Sequence, residues 1–420
     1  MAIGSAALIL IATLLPASGR SMDAHFCVIC GPLGGVDAVL NVLLFIPLGA
    51  GLVLSGVPWR RAVLTACLLS IAVETTQLFF IPGRDATLGD VITNTVGASL
   101  GVALVRHSRT WLLPSPRAAA WLVLGWSGIW LTIQVISSFA FAPSIPTSRF
   151  YGEIAPKLGN FDVFRGRVLR ATIDGVTIAD TLLSDGDSLA RRLRNAGQAV
   201  ATVVPADTTF GIAPILRVAD TSLREIVLLA QNEREFLFAV RTGAATLRLR
   251  GPLFGLPRAF PARGGRDAQQ AADTVTLTGR YQARKLSLRA ESSAGRGHSA
   301  IPIIASLGWT LLLPAQWFIQ GTIGERILSW IWVAFLLLPL GYWTVYAARR
   351  SESLTRPSQL TWTISLVFVV AGLGGAPFVF GQSPTPASDW LAAFAGLTLG
   401  AVLARTTGSR PRLGLSKARL

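Results

Sequence analysis

The chain has 420 residues, 51% hydrophobic and only 14% charged, with a formal net charge of +16. A water-soluble protein carries charge on nearer a quarter of its residues, so this composition excludes a purely soluble globular chain. The positive balance does not point to nucleic acid either, because the basic residues flank apolar runs and form no stripe interleaved with aromatics; membrane topology and attraction to anionic lipid account for it.

Nearly uncharged runs fall at about residues 3–18, 37–56, 62–80, 88–105, 118–141, 327–347, 360–381 and 388–404. Most are long enough to cross a hydrocarbon core of roughly 30 Å as a helix, which predicts about eight spans. The first run ends near Ala17-Ser18-Gly19 without a positive segment before it, so it reads as a retained span and not a signal peptide. Cys27 and Cys30 then form a C-x-x-C with His25 nearby. An ordinary loop with an incidental disulfide is favoured there over a redox pair or metal site, because three ligand-type residues in one short loop are weak evidence. Cys67 lies inside an apolar run and reads as packing.

Orientation follows from the loops. Arg60 and Arg61 follow the second run, Arg106, Arg109 and Arg117 the fourth, and Arg349, Arg350 and Arg356 the sixth; the tail holds Arg405, Arg410, Arg412, Lys417 and Arg419. The opposite short loops hold Arg20 and Arg84. Positive loops stay cytoplasmic, which predicts both termini inside and the segment at 142–300 outside, in a periplasm or its equivalent. Three regions result: a membrane domain at 1–141, an insert at 142–300 and a second membrane region at 301–420. Residues 301–320 are apolar but contain Pro302 and Pro314 and run up to Gly321, and a ninth span there would invert the tail. They read as a re-entrant or interfacial element anchored by Trp309 and Trp317.

Within the insert the apolar residues alternate. Ala245, Leu247 and Leu249 face away from Thr246, Arg248 and Arg250, and Leu286 and Leu288 alternate with Lys285, Ser287 and Arg289. Val168–Ile178 contains Asp174-Gly175, a pair suited to a tight hairpin. Ile226–Leu229 and Phe236–Val240 read as buried strands, and Arg258–Gln270 as a polar loop. The expected fold class is an α-helical membrane bundle with an inserted all-β sandwich of jelly-roll type.

The first membrane domain carries polar groups where lipid makes them costly. Asp37 and Asn41 lie four apart on one helix face, as do Asp90 and Asn94, with Gly97 and Gly101 continuing the second stripe; Ser70, Glu74 and Gln77 share a face of the helix between. Counting from the outer helix ends puts Asn41, Glu74 and Asn94 at one level, roughly 6–9 Å down at 1.5 Å per residue. Arg84 lies in the loop above, and its guanidinium matches a carboxylate fork. Interhelical hydrogen bonding is the plain alternative reading, and for Gly97 and Gly101 close backbone packing is the favoured one. Asp37, Asn41, Glu74, Gln77, Arg84, Asp90 and Asn94 form the candidate site.

These residues carry a resemblance. The block with Asp37, Asn41, Phe45-Ile46-Pro47-Leu48-Gly49, Glu74-Thr75-Thr76-Gln77, Gly83-Arg84, Asp90, Asn94, Gly97 and Gly101 resembles the VanZ-like membrane domain. Relatives often place an aspartate at the position of Thr87, so a hydroxyl stands here where a charge is usual. The resemblance implies a bacterial cytoplasmic-membrane protein and a link to resistance against the glycopeptide teicoplanin, without supplying a molecular activity. The stretch Phe210-Gly211-Ile212-Ala213-Pro214-Ile215-Leu216-Arg217, with the strands near Ile226 and Phe236, resembles a LamG or concanavalin A-like sandwich, which implies glycan binding. Such domains sometimes hold calcium; Asp207, Asp220 and Asp273 are the available carboxylates, but no dense loop of oxygens accompanies them and no metal or cofactor is expected. The close carboxylate pair of a sandwich-fold glycosidase is absent too.

The expected partners are therefore the lipid bilayer and an envelope glycan or lipid-linked precursor, with no nucleic acid. The first expectation is an envelope membrane protein with an outward glycan-binding sandwich. Alternatives are an intramembrane enzyme on a lipid-linked precursor, with Glu74 or Asp90 as acid or base and Arg84 holding an anionic group, and a transporter or flippase.

Overall fold

The structure, a computed structural model, describes residues 2–14, 27–81, 86–159, 161–183, 186–205, 209–260, 274–282, 284–293, 295–313, 317–350 and 356–407. The helices in chain order are α1 (Ala2–Leu14), α2 (Gly34–Leu54), α3 (Trp59–Phe80), α4 (Leu88–Arg106), the short α5 (Ser108–Leu112), α6 (Pro116–Phe141), α7 (Gly186–Ala196), α8 (Ile323–Arg350), α9 (Arg356–Val370), α10 (Ala376–Val379) and α11 (Ala387–Thr407). A π-helical segment, Ala371–Gly375, joins α9 to α10.

Seven helical stretches among the described residues are long and apolar enough to cross a membrane: Gly34–Leu54, Trp59–Phe80, Leu88–Arg106, Pro116–Phe141, Ile323–Ala348, Gln359–Val379 and Ala387–Thr407. The expectation of about eight is met by seven among the described residues, the difference lying at the first run. Its described part is a helix of 13 residues, about 20 Å at 1.5 Å per residue, short of the hydrocarbon thickness. The chain divides into two compact units: Met1–Val135 with Leu328–Gly375 and Thr385–Leu420, and Ile136–Ile327 with Ala376–Pro384.

In the first unit, α2 and α4 are in close contact along their length, with α3 and α1 packed on them. Phe45, Leu48, Ala66, Ala98 and Ile9 form the small apolar core of this group. A second apolar cluster joins α6, α8, α9 and α11 through Trp130, Val333, Leu337, Leu340, Val369 and Ala393. Trp343 Nε1 donates to the Trp111 carbonyl of α5 at 2.7 Å, and Trp126 Nε1 to the Leu336 carbonyl at 2.7 Å. Indole donors thus find carbonyl acceptors where no water would serve.

The second unit is a two-sheet sandwich. Its strands are β1 (Phe150–Ile154), β2 (Arg167–Ile173), β3 (Val176–Thr177), β4 (Thr181–Leu182), β5 (Gln198–Val204), β6 (Ile212–Asp220), β7 (Glu225–Asn232), β8 (Glu235–Val240), β9 (Phe254–Leu256), β10 (Val275–Tyr281), β11 (Lys285–Ser292) and β12 (Gly295–Pro302). One sheet runs β4-β1-β6-β7-β8-β9, the other β12-β11-β10-β5-β2-β3, and every pairing of strands within them is antiparallel. Alternation sets the inner faces: Ala199, Ala201 and Val203 of β5, Leu277 and Tyr281 of β10, and Leu286 and Leu288 of β11 meet Val227, Leu229, Phe236 and Phe238 of the other sheet in one core. The Asp174-Gly175 connection has positive φ at both residues, 46° and 82°, as a two-residue hairpin of the twist-compatible type requires. Asp174 Oδ1 also accepts from the Gln198 amide at 2.9 Å, tying the turn to β5.

Three expectations about this unit are corrected. Residues 301–312 belong to the sandwich and do not form a separate re-entrant element. They complete β12 and form a 3-10 helix, Ala305–Leu312, whose Ile303, Ile304, Leu307 and Leu311 bury into the sandwich core. The alternation at Ala245–Arg250 is not a strand but a 3-10 turn, Gly243–Ala245, followed by further turns. That segment is held by the end of α6, where the Gly243 amide donates to the Ala142 carbonyl at 2.9 Å, so Leu247 and Leu249 reach the core by turning. The sandwich is not all-β, since α7 packs Leu189, Ala190 and Leu193 into the same core. Of the loop expected at Arg258–Gln270, residues 261–270 lie outside the described set.

Asp220 is held within its own turn. Its Oδ1 accepts from the Ser222 and Arg224 amides, each at 2.9 Å, and its Oδ2 from Arg224 Nε at 2.9 Å. Burial pushes its carboxyl up, but those amides and the guanidinium outweigh it and hold the group below its ordinary value. Asp207 and Asp273 lie outside the described residues.

Candidate functional site

The site is built at the N-terminal end of α4. Thr87 is the N-cap of this helix, its Oγ1 accepting from the Asp90 amide at 3.1 Å. Thr87-x-x-Asp90 has the spacing of a capping box, in which the third helical residue normally reaches back to the N-cap amide. Here the duties are redistributed. Asp90 Oδ2 accepts from the Thr87 hydroxyl at 2.9 Å, and the Thr87 amide donates instead to Glu74 Oε2 of α3 at 3.0 Å. The cap of one helix is thereby completed by a carboxylate from its neighbour.

Asp90 Oδ1 in turn accepts from Asn41 Nδ2 of α2 at 2.6 Å. One continuous set of hydrogen bonds therefore runs from α3 through α4 to α2, by way of Glu74, Thr87, Asp90 and Asn41. About one turn further along α4, Asn94 Nδ2 donates to Ser70 Oγ at 2.9 Å; Asn94 is 2% exposed, and its Oδ1 has no partner among the described residues. Gln77 points the other way, its Nε2 donating to the Thr13 carbonyl of α1 at 2.8 Å. Four helices are thus joined by side chains of the candidate set. Arg84 lies outside the described residues, so its expected pairing with Glu74 does too.

The glycines explain how α2 and α4 come so close. A Cβ on Gly97 would lie 2.2 Å from the Val42 carbonyl oxygen, and one on Gly101 2.1 Å from that of Ile46. From the other side, a Cβ on Gly49 would lie 2.0 Å from the Ala98 carbonyl oxygen. Only hydrogen fits at these positions, which is the small-residue mode of helix packing in lipid.

A cavity of about 210 Å³ opens at the N-terminal ends of α2 and α4, lined among others by Asp37, Thr87, Asp90 and Thr93. Its rim is the Cys27–Cys30 loop, closed by a disulfide between those two cysteines. The loop rests on α4, where the Gly89 amide donates to the Cys27 carbonyl at 3.2 Å. His25 lies outside the described residues. The lining offers two carboxylates and two hydroxyls, a surface suited to a ligand rich in hydrogen-bond donors or bearing an ammonium group.

The sequence reading missed the part played by Thr87, Thr93 and the Cys27–Cys30 loop. For Thr87 a signal existed: a threonine three residues before an aspartate, ahead of an apolar run. The loop left no comparable signal, because its role depends on lying against the distant start of α4.

The VanZ/LLP1 family model matches residues 7–112 of the chain. No curated protein and no solved structure gives a significant match. The matched segment runs from within α1 to the end of α5 and contains every residue of the polar set.

Proposed function

We propose that this chain is an envelope membrane protein of the VanZ-like type whose cavity, on the outer side of a bacterial cytoplasmic membrane, receives an amine- or hydroxyl-bearing envelope compound, and whose sandwich, of LamG or concanavalin A-like kind, engages an envelope glycan. Glycopeptide resistance is the process this reading favours. The observation that carries it is the placement of Asp37 and Asp90 on one cavity, with Asp90 already oriented by Asn41 and Thr87. An oriented carboxylate binds a donor without first giving up its own rotational freedom.

Two independent features support the outward orientation. The arginines gather after alternate spans, as cytoplasmic loops do. The Cys27–Cys30 disulfide belongs to an oxidising compartment, and its loop precedes a span that ends at the positive side. The insert follows α6, which leaves that side again.

The test has two arms. A host carrying the gene should survive more teicoplanin than one lacking it, and Asp90→Asn should remove the difference while the protein remains in the membrane. The full-length protein in detergent should sediment with insoluble peptidoglycan. Equal susceptibility of all three strains sinks the cavity half of the proposal, and a protein that stays wholly in the supernatant sinks the sandwich half.

A further inference from the structure

The two helical groups of the membrane unit pack in the same register. In the first, a Cβ on Gly49 would meet the Ala98 carbonyl oxygen at 2.0 Å, one on Gly97 that of Val42 at 2.2 Å, and one on Gly101 that of Ile46 at 2.1 Å and the Ala50 amide nitrogen at 2.8 Å. In the second, Gly341 meets the Leu397 carbonyl oxygen at 2.0 Å, Gly396 that of Ala334 at 2.3 Å, and Gly400 that of Leu338 at 2.1 Å and the Tyr342 amide nitrogen at 2.7 Å. One fixed interval in numbering carries Val42, Ile46, Gly49 and Ala50 of α2 onto Ala334, Leu338, Gly341 and Tyr342 of α8. Another carries Gly97, Ala98 and Gly101 of α4 onto Gly396, Leu397 and Gly400 of α11. Four backbone approaches agree without a register slip.

Side chains outside the seam on α2, α8, α4 and α11 obey these two intervals. Pro47-Leu48-Gly49 falls on Pro339-Leu340-Gly341, each proline lying inside its helix. Asp90, Leu100, Leu104 and Arg106 fall on Asp389, Leu399, Leu403 and Arg405. A third fixed interval carries buried Ser70 and Glu74 of α3 onto buried Ser365 and Val369 of α9, and buried Gln77 onto buried Gly372 of the π-helical segment that follows. Gln77 faces Thr13 of α1, and Gly372 faces Trp130 and Gln134 of α6.

We infer that the membrane unit is a tandem duplication of one four-helix module, α1-α2-α3-α4 followed by α6-α8-α9-α11, in which the second copy has kept the scaffold and lost the polar site. The counterparts of Asn41, Glu74, Gln77 and Asn94 are Val333, Val369, Gly372 and Ala393. One trace of the loss remains. Ser70 Oγ accepts from Asn94, whereas Ser365 Oγ, 2% exposed, has no partner among the described residues, as expected where alanine replaces that asparagine. Among the described residues the polar site is single, and the second copy is a carrier: the sandwich is inserted between its first and second helices, at the point in the chain where the first copy has the Cys27–Cys30 loop.

Restoring the lost groups tests this in the full-length protein. Val333→Asn should recreate with Asp389 the bond that Asn41 makes with Asp90, and Ala393→Asn should give Ser365 its missing donor. Each is measured as a double-mutant cycle, V333N with D389A and A393N with S365A, by unfolding of the detergent-solubilised protein. The expected coupling is about fivefold in the unfolding equilibrium, the scale of an interhelical hydrogen bond in a bilayer protein. Coupling in either cycle supports the duplication, so one variant that fails to accumulate leaves the other to decide. No coupling in any cycle that can be measured overturns it, as does failure of both V333N and A393N to accumulate.

Discussion

Replacing Gly97 by alanine probes the seam on which the polar site is built. The new Cβ would begin 2.2 Å from the Val42 carbonyl oxygen, whereas a carbon–oxygen pair settles at about 3.3 Å. The helices must part locally by about 1 Å. Tilting is resisted from both ends, because Gly101 and Gly49 approach the facing backbone equally closely further along the seam, and Gly89, on the other side of Gly97, lies against the Val28 carbonyl oxygen. Forcing extra volume into a filled interface costs about 1–3 kcal/mol; because the parting also loosens the packing on both sides of Gly97, about 2 kcal/mol is expected, or about thirtyfold in the unfolding equilibrium. Gly125→Ala is the matched control, since it lies in the spanning helix α6 and its Cβ would meet nothing within 4 Å. That change should be neutral or slightly stabilising, alanine being the better helix former. Thermal unfolding of the detergent-solubilised full-length protein reads both. If G97A loses no more stability than G125A, the close-approach argument for α2 and α4 is wrong.

Three other outcomes follow from the same geometry. Glu74→Ala leaves the buried Thr87 amide without its acceptor and should cost about 1–3 kcal/mol, while Glu74→Gln keeps an acceptor oxygen and should recover most of it; equal losses in the two variants would show that the amide contact is not what matters. Asp220 is held below its ordinary value of 3.8, so the stability it contributes is present above the unfolded-state value and is lost as pH falls through the folded-state value. Unfolding midpoints should therefore drop below about pH 4, and Asp220→Asn should flatten that drop; an unchanged profile would refute the assignment. Gly175 has φ +82°, so Gly175→Val should cost the sandwich about 1–3 kcal/mol, read as an earlier unfolding transition, whereas an unshifted transition would mean the turn relaxes freely.

The spans and several strands were readable because the signals are local. A run of some twenty apolar residues announces a membrane helix wherever it occurs, and Leu286 and Leu288 alternating with charged neighbours announce a strand without reference to any partner. Asp174-Gly175 likewise contains its own turn. The reading failed where a neighbour overrode the local pattern. Ala245–Arg250 alternates but turns around the end of α6, and the apolar stretch after Ile301 was assigned to lipid when a protein core was there to receive it.

The candidate site divides along the same line. Asp37, Asn41, Glu74, Asp90 and Asn94 stood out because polar groups in apolar runs are costly, yet nothing in the sequence said that Asn41 holds Asp90 or that Glu74 completes the cap of α4. The duplication stayed hidden because so few identities survive between the copies, and its evidence is the repetition of backbone approaches between helices remote in the chain. The sequence by itself determined that this protein spans a membrane, most of the segments that do so, and which polar groups must turn inward, since these depend on the transfer energy of short stretches. The tertiary structure alone decided which of those groups meet, and that among the described residues the meeting happens once in two similar bundles, because a hydrogen bond or a glycine seam exists only when separate helices are brought within a few ångströms.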